Sequence, residues 1–215
     1  MYTAVLIRRH INQLKNDKPF SIRDFLNYGS RNAVDQVFYR LVKSGQIIRI
    51  ARGIFIKDTS PMPSVLEVAL TKAAAFCKSL VTHGSQAAQQ LGLSTNIGPQ
   101  REAIYACSGS SSSFRFGNIR IRFIAASPRK ICLGDELSGL AIRALWYLRK
   151  PNCSSQLVCD ALAQFNRHDR QALRQKIKIM PSWLASYFID SEPDSAQKQR
   201  LKNNFQSYFY WHWRL

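Results

Sequence analysis

Apolar residues return at helical spacing between positions 30 and 43. Val34, Val37, Phe38, Leu41 and Val42 fall at i, i+3, i+4, i+7 and i+8 and form one stripe. The other side of the same stretch carries Arg31, Asn32, Asp35, Gln36, Tyr39, Arg40 and Lys43. Ser30 stands where a hydroxyl can accept the orphan N–H groups of a first turn, and Gly45 where a left-handed residue ends a helix. Beyond Gly45 the pattern shortens to two β-branched runs, 46–50 and 54–56, joined by Ala51-Arg52-Gly53. They predict a hairpin with Arg49 near its tip and Arg52 on it. Upstream, Leu6, Ile7, His10, Ile11 and Leu14 predict a helix over 3–16 capped by Thr3, with His10 at the core boundary. Asp17-Lys18-Pro19 breaks it, and Ser21-Ile22-Arg23-Asp24 reads as a capping box that turns Ile22, Phe25 and Leu26 inward. Three helices followed by a hairpin predict a winged helix-turn-helix over residues 1–60.

The pattern changes again at Asp58-Thr59-Ser60-Pro61-Met62-Pro63, which reads as a linker. From Ser64 to Lys78 apolar residues occur nearly all round a helix, predicting a central, buried one. A short helix over 86–91 ends at Gly92, a strand covers 103–107, and a Ser/Gly loop follows over 108–113. Phe114-Arg115-Phe116 and Ile119 to Ile124 flank Gly117-Asn118, the signature of a two-residue primed turn. That turn sets Phe116 opposite Ile119, Arg115 opposite Arg120 and Phe114 opposite Ile121. Helices are predicted over 137–148, 155–165, 167–179 and 183–188. Residues 61–190 therefore read as a mixed α/β domain with a small antiparallel sheet and several helices, and the whole chain as α+β. Residues 191–215 are a basic, aromatic segment in which Leu201, Phe205, Tyr208, Phe209 and His212 fit one helical face. Packing against a core or a dimer partner is the first use for such a face, single-stranded RNA the second.

Charge sharpens this outline. Over 215 residues the formal net charge is +18, and residues 1–60 alone hold 11 Lys and Arg against 4 acids. The bases are spread through apolar-containing segments, so a folded protein meeting a polyanion is expected, nucleic acid ahead of membrane. No run approaches the roughly 18 consecutive apolar residues of a membrane span, and no signal peptide precedes the first arginines. Five cysteines without a CxxC pair suit reduced, partly buried thiols of a cytoplasmic protein rather than a disulfide framework or a zinc site.

A single helix fits the major groove and meets base edges with its first residues. Arg31, Asn32, Asp35 and Gln36 occupy that position, while Tyr39, Arg40 and Lys43 lie further along, towards phosphate; Arg49 and Arg52 would grip backbone or minor groove. In the second hairpin Arg115 and Arg120 face each other with Arg122 beside them, an arrangement like charges disfavour. A bound anion, a partner surface, an acidic neighbour such as Glu102, or solvation at an edge strand each accounts for it. A restriction-type nuclease would need carboxylates where these strands carry arginine, and His83-Gly84-Ser85 has neither a P-loop nor a nucleophile elbow around it. No catalytic residue, metal site or cofactor is expected.

Four stretches resemble the AbiEi-type antitoxins of bacterial type IV toxin–antitoxin systems: SRNAVDQVFYRLVKSGQIIRIARGIF, LVTHGSQAAQQLGLST, LSGLAIRALWYL and MPSWL. The resemblance covers roughly residues 1–188, and the coupling of the first stretch to HGSQAAQQLGLST is its most specific part. It implies a winged helix that binds inverted repeats in double-stranded operator DNA and represses its own operon. It also implies a C-terminal domain that counters a nucleotidyltransferase toxin, directly or not, in a phage-defence setting, with the protein a monomer or dimer. By position, its DNA contacts would be Arg31, Asn32, Gln36, Arg40, Arg49 and Arg52. The competing reading is a stand-alone transcriptional regulator whose second domain senses a ligand or oligomerises.

Overall fold

A computed structural model describes residues 2–94, 101–163 and 165–190. The aromatic tail assigned to 191–215 lies outside the described residues. Two units form, Met1–Leu80 with Pro99–Ala125, and Val81–Gly98 with Ala126–Leu215. Among the described residues no helix is long and apolar enough to cross a membrane.

The first unit begins with α1 (Tyr2–Gln13), which turns Ile7 and Ile11 inward. Its helix starts before Thr3, whose hydroxyl does not cap it but donates to the Tyr28 carbonyl at 3.0 Å. It also stops short of residue 16, where the Lys57 ammonium donates to the carbonyls of Asn12 (3.1 Å) and Leu14 (2.5 Å). His10 meets the Tyr28 hydroxyl at 3.0 Å and packs on Phe25, a core-boundary position. Strand β1 (Phe20–Ser21) leads into a 3-10 helix, Ile22–Tyr28, opened by the expected capping box. Gly29 follows as its C-cap. Helix α2 (Arg31–Lys43) has Ser30 as its cap, and Gly45 beyond it sits at φ +73°. Strands β2 (Ile47–Ala51) and β3 (Ile54–Lys57) make the hairpin, and the sheet order is β1-β3-β2. Val34, Val37, Phe38 and Leu41 join Ile7, Ile11, Phe20 and Phe25 in one core, while Val42, the last of the stripe, is exposed.

The chain does not leave this unit at the proline-bearing segment. Helix α3 (Val65–Ala74) is capped by the Ser64/Glu67 box and packs Val68, Ala69 and Ala73 on Ala51 and Ile54 of the hairpin. Ala103, Tyr105, Cys107, Ile121 and Phe123 complete this second core. The boundary expected at residue 60 therefore falls elsewhere, because turn-forming composition says where the chain bends and not where its apolar faces end. Helix α3 is not buried all round either: Leu66 and Leu70 are about half exposed.

After the boundary strand β4 (Leu80–Thr82) and helix α4 (Gly84–Gln90) come β5 (Glu102–Cys107), β6 (Ser112–Phe116) and β7 (Ile119–Ala125). The β6–β7 register is the expected one, with Arg115 opposite Arg120. The sheet is nevertheless mixed and not antiparallel, since β7 runs parallel to β5.

The second unit is helical. To α4 it adds α5 (Pro128–Ile131), α6 (Leu137–Leu148), α7 (Ser155–Ala163), α8 (Arg167–Lys176) and α9 (Ser182–Asp190). Helix α6 supplies Ala141, Ile142 and Leu145 to a core shared with Val158, Leu162, Leu173, Met180, Leu184 and Phe188. Gly139 permits the close approach of the preceding loop: a Cβ there would lie 2.2 Å from the Leu133 carbonyl oxygen. Arg143, inside this core, is 3 % exposed. Its guanidinium donates to the Thr82 carbonyl at 2.9 Å, to the Gly134 carbonyl and to the Asp135 carboxylate.

Candidate nucleic-acid interface

Helix α2 owes its polar face to the same periodicity that buries its stripe. With Val34, Phe38 and Leu41 turned into the core, Asn32, Gln36, Arg40 and Lys43 are left in solvent. Tyr39 beside them is 67 % exposed. At the helix start the Arg31 Nε donates to the Asp35 carboxylate at 2.9 Å, one turn on. In the open this pair is worth a few tenths of a kcal/mol, so it orients Arg31 without immobilising it.

The nine residues expected to meet DNA divide into two groups. Asn32, Gln36, Arg40 and Lys43 share the outer face of α2. Arg31, Asp35 and Tyr39 turn to its flank and line a cleft with Arg49 and Arg52 of the hairpin. The hairpin is not a free projection. The Gly53 carbonyl accepts from the Ile22 N–H at 3.1 Å, and the Arg52 carbonyl accepts from the Lys72 ammonium at 2.6 Å. Ala51 and Ile54 anchor the tip in the second core, which leaves the Arg49 and Arg52 side chains exposed along the cleft rim.

The cleft, about 720 Å³, lies wholly in the first unit. Its cations are Arg23, Arg31, Arg49, Arg52, Lys72 and Lys78, and its one carboxylate is Asp35. Phe76 and Phe114 supply aromatic wall. The Arg23 guanidinium stands 4.3 Å from the centre of the Phe76 ring, and the Lys72 ammonium 5.2 Å from that ring and 5.6 Å from Phe114. Lys78 donates to the carbonyl and hydroxyl of Ser110, tying the serine loop to the cleft lining. Burial lowers the pKa of Lys72, and the charges of Arg52, Arg23 and Arg49 lower it further. A depressed ammonium among like charges marks a site of positive potential.

Sequence reasoning missed Arg23, Lys72, Phe76 and Lys78 as members of one site. Lys72 and Phe76 are four apart within the stretch expected to be helical, and although α3 ends at Ala74 the ring and ammonium still meet. Nothing in the spacing brings Arg23 or the serine loop to them. The second arginine group is placed as expected but only partly paired: Arg122 reaches Glu102 at 3.2 Å, whereas Arg115 and Arg120 are exposed. His83 Nδ1 and Ser85 Oγ lie 2.7 Å apart in a helix cap, where that nitrogen also accepts the Ser85 N–H. All five cysteines are free; Cys107 and Cys153 are buried, but Cys77, Cys132 and Cys159 are exposed rather than partly buried. Among the described residues no three His, Cys, Asp or Glu side chains gather as a metal-binding group.

A family model, DUF6088, described as a family of unknown function, matches residues 6–172. Among solved structures the chain is similar to the Rv2827c protein of Mycobacterium tuberculosis, with 13% identity, 93% of this chain and 80% of that one covered, and a TM-score of 0.41. No curated protein matches.

Proposed function

The chain belongs to the DUF6088 family, and we propose that within it this protein is a DNA-binding autorepressor that serves as the antitoxin of a toxin–antitoxin pair. In this reading α1, the 3-10 helix, α2 and the β2–β3 hairpin act as a winged helix-turn-helix, with α2 in the major groove of operator DNA. The observation that carries it is the outer face of α2: Asn32, Gln36, Arg40 and Lys43 are all exposed while the opposite stripe forms the core. The element order and the sheet order β1-β3-β2 support it. The docked hairpin modifies it. Arg49 and Arg52 contact phosphate from a short, rigid wing, and Arg31 reads a base only by exchanging its pairing with Asp35. The antitoxin role, with a nucleotidyltransferase toxin countered in the cytoplasm, rests on the four stretches quoted above.

Band shifts with the DNA upstream of its own gene, run across a salt series, test the DNA reading. Gln36→Ala costs about 1–3 kcal/mol on the operator and relaxes its sequence preference. Arg52→Ala weakens every sequence alike and reduces the salt slope by about 1. Binding with no sequence preference, or a Gln36→Ala chain that binds like the parent, overturns it. Growth rescue on co-expression with the neighbouring gene product tests the antitoxin role separately.

A further inference from the structure

The cleft beside α2 is more enclosed than duplex recognition requires. A double helix is read by side chains that protrude into its grooves, whereas this surface recedes between α2, the hairpin, α3 and the serine loop. Its volume, about 720 Å³, falls in the range of small-molecule sites, roughly 300–1,000 Å³. Two features of its lining call for a ligand.

The first is charge. Asp35, the sole carboxylate of the lining, is engaged by Arg31. Among the described residues, Arg23, Arg49, Arg52 and Lys72 have no carboxylate partner. Lys72 is drawn halfway out of water with only the Arg52 carbonyl as hydrogen-bond acceptor. Drawing cations together without an anion costs free energy, and phosphate oxygens, accepting charge-assisted bonds from several donors at once, return it.

The second is aromatic surface. Phe76 is 46 % exposed, with Arg23 and Lys72 on its ring, and Phe114 lines the same cleft. A bare inorganic anion has no use for either ring; a planar base stacks on one and is worth about 1–3 kcal/mol there. Ser112 and Ser113 add hydroxyls of a size to meet a ribose. We propose that this cleft binds a free nucleotide, its phosphates held by Lys72, Arg23, Arg49 and Arg52 and its base stacked on Phe76 or Phe114. The site shares Arg49 and Arg52 with the DNA reading, but its test contains no DNA, so the two stand or fall separately.

Fluorescence anisotropy of the full chain titrated with N-methylanthraniloyl-ADP, displaced in turn by ADP, AMP, GMP, adenosine and inorganic phosphate, tests this. Saturable binding displaced by nucleotides better than by adenosine or by phosphate is the expected result. Lys72→Gln and Arg52→Gln weaken it by about tenfold each, with the melting curve unchanged. Phe76→Ala weakens AMP and leaves phosphate as it was. Arg9→Gln, at an exposed position of α1 outside the cleft, leaves binding intact. If Lys72→Gln melts early, Arg23→Gln at the exposed edge takes its place. Absence of saturable binding up to about 1 mM, equal displacement by phosphate and ADP, or equal loss in Arg9→Gln overturns the proposal.

Discussion

Arg143 in the second unit and Lys72 in the first are both cations withdrawn from water, and the two units treat them in opposite ways. Around Arg143 the fold supplies three acceptors, two backbone carbonyls and the Asp135 carboxylate. Burial alone pulls its pKa down, and Asp135 pulls it back. Lys72 has one carbonyl and two ring faces, and its nearest charges are other cations. A buried charge that the chain itself satisfies ties segments together. A half-buried charge left among like charges is a place for something else to bind.

Substitutions on the two sides separate these roles, and the largest effects belong to the second unit. Gly139→Ala drives a methyl into the Leu133 carbonyl and displaces the Leu133-Gly134 turn that feeds an acceptor to Arg143. It should cost about 3 kcal/mol in urea unfolding of the full chain. Asp135→Ala follows at about 2–3 kcal/mol, below the cost for a fully buried pair because water reaches Asp135. Arg143→Met removes the stranded charge as well, so its cost, about 1–2 kcal/mol, is expected to be smaller. A greater loss in Arg143→Met than in Asp135→Ala would mean that packing, not charge, holds the turn.

The smallest effect belongs to Lys72. Lys72→Met should leave stability within about 0.5 kcal/mol of the parent, on the stabilising side if on either. Its signature is in pH. Because the folded chain lowers the Lys72 pKa, the unfolded chain binds more protons between the folded and unfolded values. Stability then rises with pH through that window, and the rise is missing in Lys72→Met. Thermal melts of both proteins from neutral pH up to the ordinary lysine range read the difference. A parent slope that survives the substitution would place the titrating group elsewhere.

Much of the local structure was readable along the chain. Ser21 with Asp24 announced its capping box, and Gly117-Asn118 set the β6–β7 register to the residue. The outer face of α2 followed from the positions of Val34, Phe38 and Leu41. The cleft did not follow, because its walls come from residues 21–23, 31–42, 49–55, 72–78 and 110–123, which only packing brings together. The burial of Arg143 was equally hidden: on a helix so apolar it reads as a polar interruption, and the acceptors that admit it lie 8, 9 and 61 positions away.

Helix stripes, caps and turn chemistry act over a few residues, where dihedral preferences and side-chain spacing are decisive, and the amino-acid sequence alone determined them here. The extent of the first unit, the docking of the hairpin tip on α3, the parallel pairing of β5 with β7 and the gathering of cations around Lys72 were decided only by tertiary structure. Each depends on which apolar faces find one another across long separations, and electrostatic cost is set by the neighbours that packing delivers.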